Sequence, residues 1–249
     1  MTIDTLISPA ELPALARRDL SGTACVVFDI LRATSTFVTA LHHGAAAIIP
    51  VSDIATAVAL RHQRPAVRLA GERNGVRIAA AQSGGVEFDF GNSPREFTPE
   101  RVRGQTIVST TTNGTRALRA CAAAKTVLAG SFLNLAATAD FLRGEKEIFL
   151  ICAGTGENPA DEDILAAGAL TELLSAREDA RPTLSDPSEK TWRRFTELKT
   201  DLATALGSSE NGRRLLAIPE LRDGVAFCAQ RDVFNLVAVM HADGSLRRI

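Results

Sequence analysis

Cysteine is scarce in this chain and poorly spaced for metal or disulfide work. The four residues, Cys25, Cys121, Cys152 and Cys228, never form a C-x-x-C pair, which argues against a zinc site or a disulfide framework. Three of them sit in apolar runs and read as small buried hydrophobes. Cys152 ends an apolar run before Ala153-Gly154-Thr155, but it lacks the downstream arginine that would hold an anion and lower a thiol pKa. No apolar run is long enough to span a bilayer, and the opening Met1-Thr2-Ile3-Asp4-Thr5 has neither a basic region nor an apolar core. A cytoplasmic protein without a membrane partner is expected. Excess charge is missing too: a formal net charge of -1 gives no support for a nucleic-acid partner. The common phosphate fingerprints are also absent, with neither G-x-G-x-x-G nor a glycine-rich loop closing in Gly-Lys-Ser/Thr.

What is present is an ordinary globular composition, 45% hydrophobic and 23% charged over 249 residues, enough for one α/β domain spanning 1–249. Apolar runs at 24–28, 46–51, 67–70, 106–109, 126–129 and 147–152 read as strands. Helical segments are expected at 7–20, from the hydroxyl run at 34–36 to His43, and at 54–62, 116–121, 135–143 and 164–174. The order strand, Ser/Thr loop, helix, strand, capped helix occurs at 24–62 and again at 106–143. That order fits either an internal duplication of a βαβ unit or two unrelated units of the same pattern. Residues 175–190 turn polar and read as a surface connection. Phe195, Leu198, Leu202 and Leu206 follow at helical spacing, and 225–228 and 236–240 read as two last strands. Alternating strands and helices predict a three-layer α/β/α fold with a largely parallel or mixed sheet.

In such sheets ligands bind beyond the carboxyl ends of the strands, and here those ends carry chemistry. The run Val26-Val27-Phe28-Asp29-Ile30-Leu31-Arg32-Ala33-Thr34-Ser35-Thr36 delivers an acid, an arginine and three hydroxyls to a helix start. Taken alone, this is either an anion site or an ordinary capped helix. Glu72-Arg73 ends another strand, Thr111-Thr112-Asn113-Gly114-Thr115 follows a third, and Gly154-Thr155 a fourth, with Glu162-Asp163 opening the next helix. Acids without a His or Cys cluster are hard oxygen ligands suited to Mg²⁺, and arginines with glycine and hydroxyl loops suit a phosphoryl group. Together they point to a phosphatase or phosphotransferase.

Six of these segments in one order, Val27 through Thr36, Ala70-Gly71-Glu72-Arg73, Gly91-Asn92-Ser93-Pro94, Thr110 through Thr115, Gly130-Ser131 with Asn134, and Cys152-Ala153-Gly154-Thr155 with Glu162-Asp163, resemble the 2-phosphosulfolactate phosphatase family. The resemblance runs from about residue 25 to 168 and continues through Ser208-Ser209-Glu210-Asn211-Gly212-Arg213. It implies a Mg²⁺-dependent phosphatase that converts 2-phosphosulfolactate to sulfolactate, a step towards coenzyme M. The expected partner is a small anionic phosphorylated substrate, with a homodimer left open. The expected catalytic set is Asp29, Arg32, Glu72 and Asp163. Asp29 with Glu162 or Asp163 would bind the metal, although Asp29 as phosphoryl acceptor is the alternative. Arg32 and the 111–115 loop would grip phosphate, with Thr34, Ser35, Thr36, Ser131, Gly154 and Thr155 around it. Arg73, Asn92 and Ser93 would hold the carboxylate or sulfonate. Two alternatives remain: a phosphatase for another small acid such as phospholactate or phosphoglycolate, and a non-catalytic phosphometabolite-binding module.

Overall fold

The computed structural model describes all residues except Ala16 and 178–180. Among the described residues, eleven strands join in one mixed sheet. In chain order they are β1 (Thr2–Leu6), β2 (Ala24–Phe28), β3 (Ala47–Pro50), β4 (Arg68–Arg73), β5 (Val76–Arg77), β6 (Thr106–Thr110), β7 (Thr126–Gly130), β8 (Glu147–Cys152), β9 (Thr183–Leu184), β10 (Ala238–Met240) and β11 (Leu246–Arg248). The helices are α1 (Leu12–Leu15), α2 (Ala33–His42), α3 (Ile54–Gln63), α4 (Pro99–Val102), α5 (Gly114–Ala120), α6 (Leu135–Phe141), α7 (Asp161–Arg177), α8 (Asp186–Leu198), α9 (Leu202–Ser208), α10 (Glu210–Leu216) and α11 (Arg222–Cys228).

β2 lies within the sheet, parallel to both β7 and β8. All five of its residues are buried, as expected for a strand covered on both faces. Because side chains alternate along a strand, Cys25 and Val27 enter one apolar core while Ala24, Val26 and Phe28 enter the other. This divides the molecule into the three expected layers. A smaller cluster of Val51, Ala57, Leu69, Phe88 and Val108 fills the space under α3.

The strand order β5-β4-β6-β3-β11-β10-β7-β2-β8-β1-β9 interlocks the two similar units, since β2 of the first pairs with β7 of the second and β3 with β6. The β10–β11 hairpin separates them and is antiparallel to its neighbour on each side. Three antiparallel steps therefore set the block β4-β6-β3 against the direction of β7-β2-β8. The functional strand ends do not all lie on one edge of the sheet. They belong to two opposed blocks, yet the loops after β2, β4, β6 and β8 border a common cavity.

Several local readings also change. Residues 225–228 lie in α11, not a strand: Val225 and Cys228, three apart, are buried on one helix face, and so short an apolar run does not distinguish the two periods. The polar connection near 175–190 is largely helical. α7 continues through Arg177, and α8 starts at Asp186 behind a Ser185 cap, with Pro187 in its first turn; the part at 178–180 lies outside the described residues. Ser188 and Thr191 are buried there with their hydroxyls bonded to Thr5, Ile3 and the helix itself, so polarity did not mean exposure. The stripe from Phe195 to Leu206 is split between α8 and α9, because Asp201 caps a new helix through the Thr204 N–H. Among its described residues, the segment expected as a helix at 7–20 contains only a short turn behind the Ser8 cap and α1. β1, before it, went unread because its Asp4-Thr5 pair hides the strand pattern; pairing with β8 and β9 holds it in place. None of the described helices is long and apolar enough to cross a membrane.

Candidate active site

The loops beyond β2, β4, β6 and β8 meet α10 around a cavity of about 270 Å³, bordered by Asp29, Arg32, Glu72, Asn92, Thr112, Asn113, Gly154, Thr155, Asn211 and Arg214 among others. Asp29 follows β2, and its carboxylate accepts a hydrogen bond from the backbone N–H of Ala33 at 3.0 Å and packs against Gly114. The starts of α2 and α5 thus converge on one carboxylate. A side chain at Gly114 has no room: a Cβ there would lie 2.5 Å from Asp29 Oδ2 and 2.6 Å from the Ala33 Cβ. Gly114→Ala is expected to displace Asp29, costing about 1–3 kcal/mol of stability and most of the activity; urea unfolding alongside a turnover assay measures both.

Arg32, in the loop after β2, is only 3% exposed. Its Nη2 donates to the Gly75 carbonyl at 2.8 Å, while Nη1 is buried with no hydrogen-bond partner among the described residues. A chain of bonds holds it in place. Glu72 accepts from the Gly75 N–H at 2.8 Å and from the Thr112 hydroxyl and N–H at 3.0 and 3.1 Å. Glu72 therefore ties the turn after β4 to the loop after β6, and that turn positions the carbonyl that anchors Arg32.

Behind the cavity wall, Asp163 accepts from the Ile30 N–H at 2.8 Å and the Gly154 N–H at 2.9 Å. Each carboxylate oxygen is thus committed to one of the loops following β2 and β8. Glu162 accepts from Asn211 Nδ2 at 2.6 Å. Among the described residues no three His, Cys, Asp or Glu side chains assemble as a metal-holding group. Of the expected ligands, Asp29 faces the cavity, Asp163 braces two loops and Glu162 is held by Asn211.

Other expected site residues hold the walls. Thr34 caps through the Asp29 backbone, Ser35 bonds Ser131 and the Ile30 carbonyl, and Thr36 donates to the Asn92 carbonyl. All three are essentially fully buried, because α2 starts inside the protein and its hydroxyls are needed there. Thr111 and Thr115 bond each other. Asn113 donates to the Ala153 and Gly156 carbonyls and accepts from the Gly156 N–H, so it shapes the glycine turn. Ser93 is buried against Glu96. Arg73 points out of the cavity, since it follows Glu72 on the same strand and alternation sends the two to opposite faces. It bonds Thr110 and borders a separate depression with Asp53 and His62. Asn74, Asn211 and Arg214 were missed as site residues. Asn211 stands in a Ser-Ser-Glu-Asn-Gly run, a helix-start signal that gave no hint of which sheet edge the helix would cover.

Crowded acids set the electrostatics. Burial, helped by the Glu72 and Glu162 carboxylates, pushes the Asp29 carboxyl up to about 6. Burial also raises Glu162 and Asp163. Cys152, buried in an apolar core, is likewise pushed well up, which leaves a neutral thiol and removes it as a nucleophile. With Asp29 at about 6 in the folded state and 3.8 as its ordinary value, the unfolded chain releases this proton first. Stability should therefore fall as pH rises from about 4 to 6, by up to roughly 3 kcal/mol from this group. The metal-free wild type minus Asp29→Asn difference in urea unfolding, followed over that range, should show the fall; a flat difference would remove Asp29 as its source.

A family described as 2-phosphosulpholactate phosphatase matches residues 10–243. The chain is 38% identical over 223 residues, 88% of each chain, to a protein of Caldanaerobacter subterraneus subsp. tengcongensis named "Probable 2-phosphosulfolactate phosphatase". Proteins of the same name from Clostridium novyi, 31% identical and covering 97% of both chains, and from Thermosynechococcus vestitus, 35% identical and covering 95% of both, also match.

Proposed function

The chain belongs to the 2-phosphosulpholactate phosphatase family, and from that premise we propose that it hydrolyses 2-phosphosulfolactate to sulfolactate and inorganic phosphate. The observation that carries this reading is Arg32, a guanidinium 3% exposed with one terminal nitrogen unpartnered beside the Asp29 carboxylate in the same cavity. A buried charged donor left unpaired calls for an anion, and a phosphoryl group offers the planar pair of oxygens that a guanidinium matches.

We further assign Mg²⁺ as cofactor, on the chemistry of the donors. Asp29 and Glu72 border the cavity with Glu162 behind them, and no histidine or cysteine is among the lining residues. Their mutual repulsion is what a hard divalent cation neutralises, and Mg²⁺ commonly takes one or two carboxylates, leaving its other positions to water and phosphate. Asp29 would hold it, and when bound it would neutralise charge developing on the transferred phosphoryl group. The chain's own groups do the rest. Arg32 binds and orients the phosphoryl oxygens, and the turn 153–156, fixed by Asn113 and Asp163, closes the far wall. Water adds to phosphorus as the ester P–O bond breaks, and the departing alkoxide of sulfolactate takes a proton. A cytoplasmic setting is part of the proposal, since all four cysteines are free, as in a reducing compartment.

Release of inorganic phosphate from a panel of 2-phosphosulfolactate, phospholactate and phosphoglycolate, with and without Mg²⁺, tests this reading. Turnover should be fastest on 2-phosphosulfolactate and require the cation. Tight binding with no release from any member would make the protein a phosphometabolite sensor instead.

A further inference from the structure

Two arginines border the cavity, and the second has no role yet. Arg214 stands on α10 next to Leu215, on a wall that no strand-end loop supplies. Its orientation is set from inside the protein. Asn211 Nδ2 donates to Glu162 Oε1 at 2.6 Å and to Thr155 Oγ1 at 2.5 Å. With the amide nitrogen so engaged, Asn211 Oδ1 is left to accept, and it does so from Arg214 Nη2 at 2.8 Å. The buried acid thus steers the amide, and the amide steers the guanidinium. Arg214 makes no salt bridge among the described residues, and four of its five N–H donors remain for a ligand. Its neighbour Arg213 is different, since it is turned back to the Ser208 carbonyl.

Arg73, expected from the sequence to hold the acid end of the substrate, lies on the far side of β4 in a separate depression. The acid end therefore needs another cation. Arg32 is committed to the floor by its bond to Gly75, beside Asp29 where the phosphoryl group is assigned, so the remaining lining cation is Arg214.

We propose that Arg214 is the specificity-determining residue that receives the sulfonate of the substrate, with Asn211 as the positioning residue that holds it in place. This rests on the phosphatase reading above. A sulfonate is a weak base with three oxygens and no titration near neutral pH, so a permanently charged, multi-donor guanidinium at the solvent-facing rim suits it better than a buried site. The consequence is selectivity: substrates with a sulfonate gain from Arg214, while those with only a carboxylate do not.

The test compares 2-phosphosulfolactate with phospholactate, which lacks the sulfonate, on wild type, Arg214→Gln and Arg214→Lys. In Arg214→Gln the ratio of kcat/KM for the two substrates should collapse by about 10–100-fold, the size of a lost charge-assisted hydrogen bond, through KM on 2-phosphosulfolactate with kcat little changed. Arg214→Lys should recover part of the ratio. Asn211→Ala should lower it less, with thermal unfolding run alongside as the check on folding. An unchanged ratio, or an equal loss on both substrates, would overturn the proposal. Equilibrium binding of sulfolactate by calorimetry gives an answer independent of turnover. Weakening of about tenfold or more in Arg214→Gln supports the assignment even in a protein that releases no phosphate, and unaltered binding refutes it. Wild-type turnover alone decides the phosphatase reading.

Discussion

Replacing Asp29 by asparagine is expected to reduce kcat/KM on 2-phosphosulfolactate by about 10³-fold or more, the scale for a group acting on charge that develops in the transition state. Asparagine has nearly the same shape, so the cavity should persist. Three things change at once. The negative charge that would hold a divalent cation is lost. The amide offers one acceptor oxygen where the carboxylate has two, one of which takes the Ala33 N–H. The burial of a charge, together with the repulsion from Glu72 and Glu162, that drives the Asp29 carboxyl up is relieved, so the variant should be as stable as wild type or more stable above pH 6, even though it is inactive. Stability retained while turnover is lost is the signature of a functional charge held against its own preference. Steady-state kinetics with Mg²⁺ titration measure this, and a variant keeping a tenth of wild-type activity would remove Asp29 from the centre of the site.

Arg32 should show the second largest effect. Arg32→Met removes the buried guanidinium while keeping an unbranched apolar stem, and a loss of about 10²–10⁴-fold in kcat/KM is expected by analogy with arginines that stabilise phosphoryl transfer. Arg32→Lys should recover part of it, because a single ammonium supplies charge but not the paired donors. A further consequence separates this from simple disruption. Arg32 lies close enough to Asp29 and Glu72 to interact with their charges, so removing it leaves the acids with less compensation. Removing a nearby cation raises a carboxyl pKa, and the acid limb of the pH–rate profile should move to higher pH in Arg32→Met. A profile displaced downward, or equal activity in wild type and Arg32→Met, would contradict the assignment of Arg32 to the phosphate.

Much of the scaffold was legible because its signals are local. An apolar run stopped by Asp29 reads as a buried strand whatever surrounds it, and Asp53 and Ser8 cap the segments that follow them through short-range bonds. The misread segments are those whose character depends on a partner. Val225 to Cys228 became helical by packing as part of α11, and Ser188 is buried because β1 supplies its bonds.

For the site, sequence alone determined the chemical inventory: acid, arginine, glycine and hydroxyl at four strand ends, without sulfur or imidazole ligands. Tertiary structure decided which of those groups meet the ligand. Strand alternation turned Glu72 inward and Arg73 outward. Interior bonding consumed the hydroxyls at 34–36 and both oxygens of Asp163, and the folding back of α10 brought Asn211 and Arg214 to loops more than fifty residues earlier in the chain. The division has a physical cause. Residue type and short-range spacing govern propensity and chemistry, whereas the direction of a side chain and the partners it spends its hydrogen bonds on are set by contacts between distant segments, which no local pattern encodes.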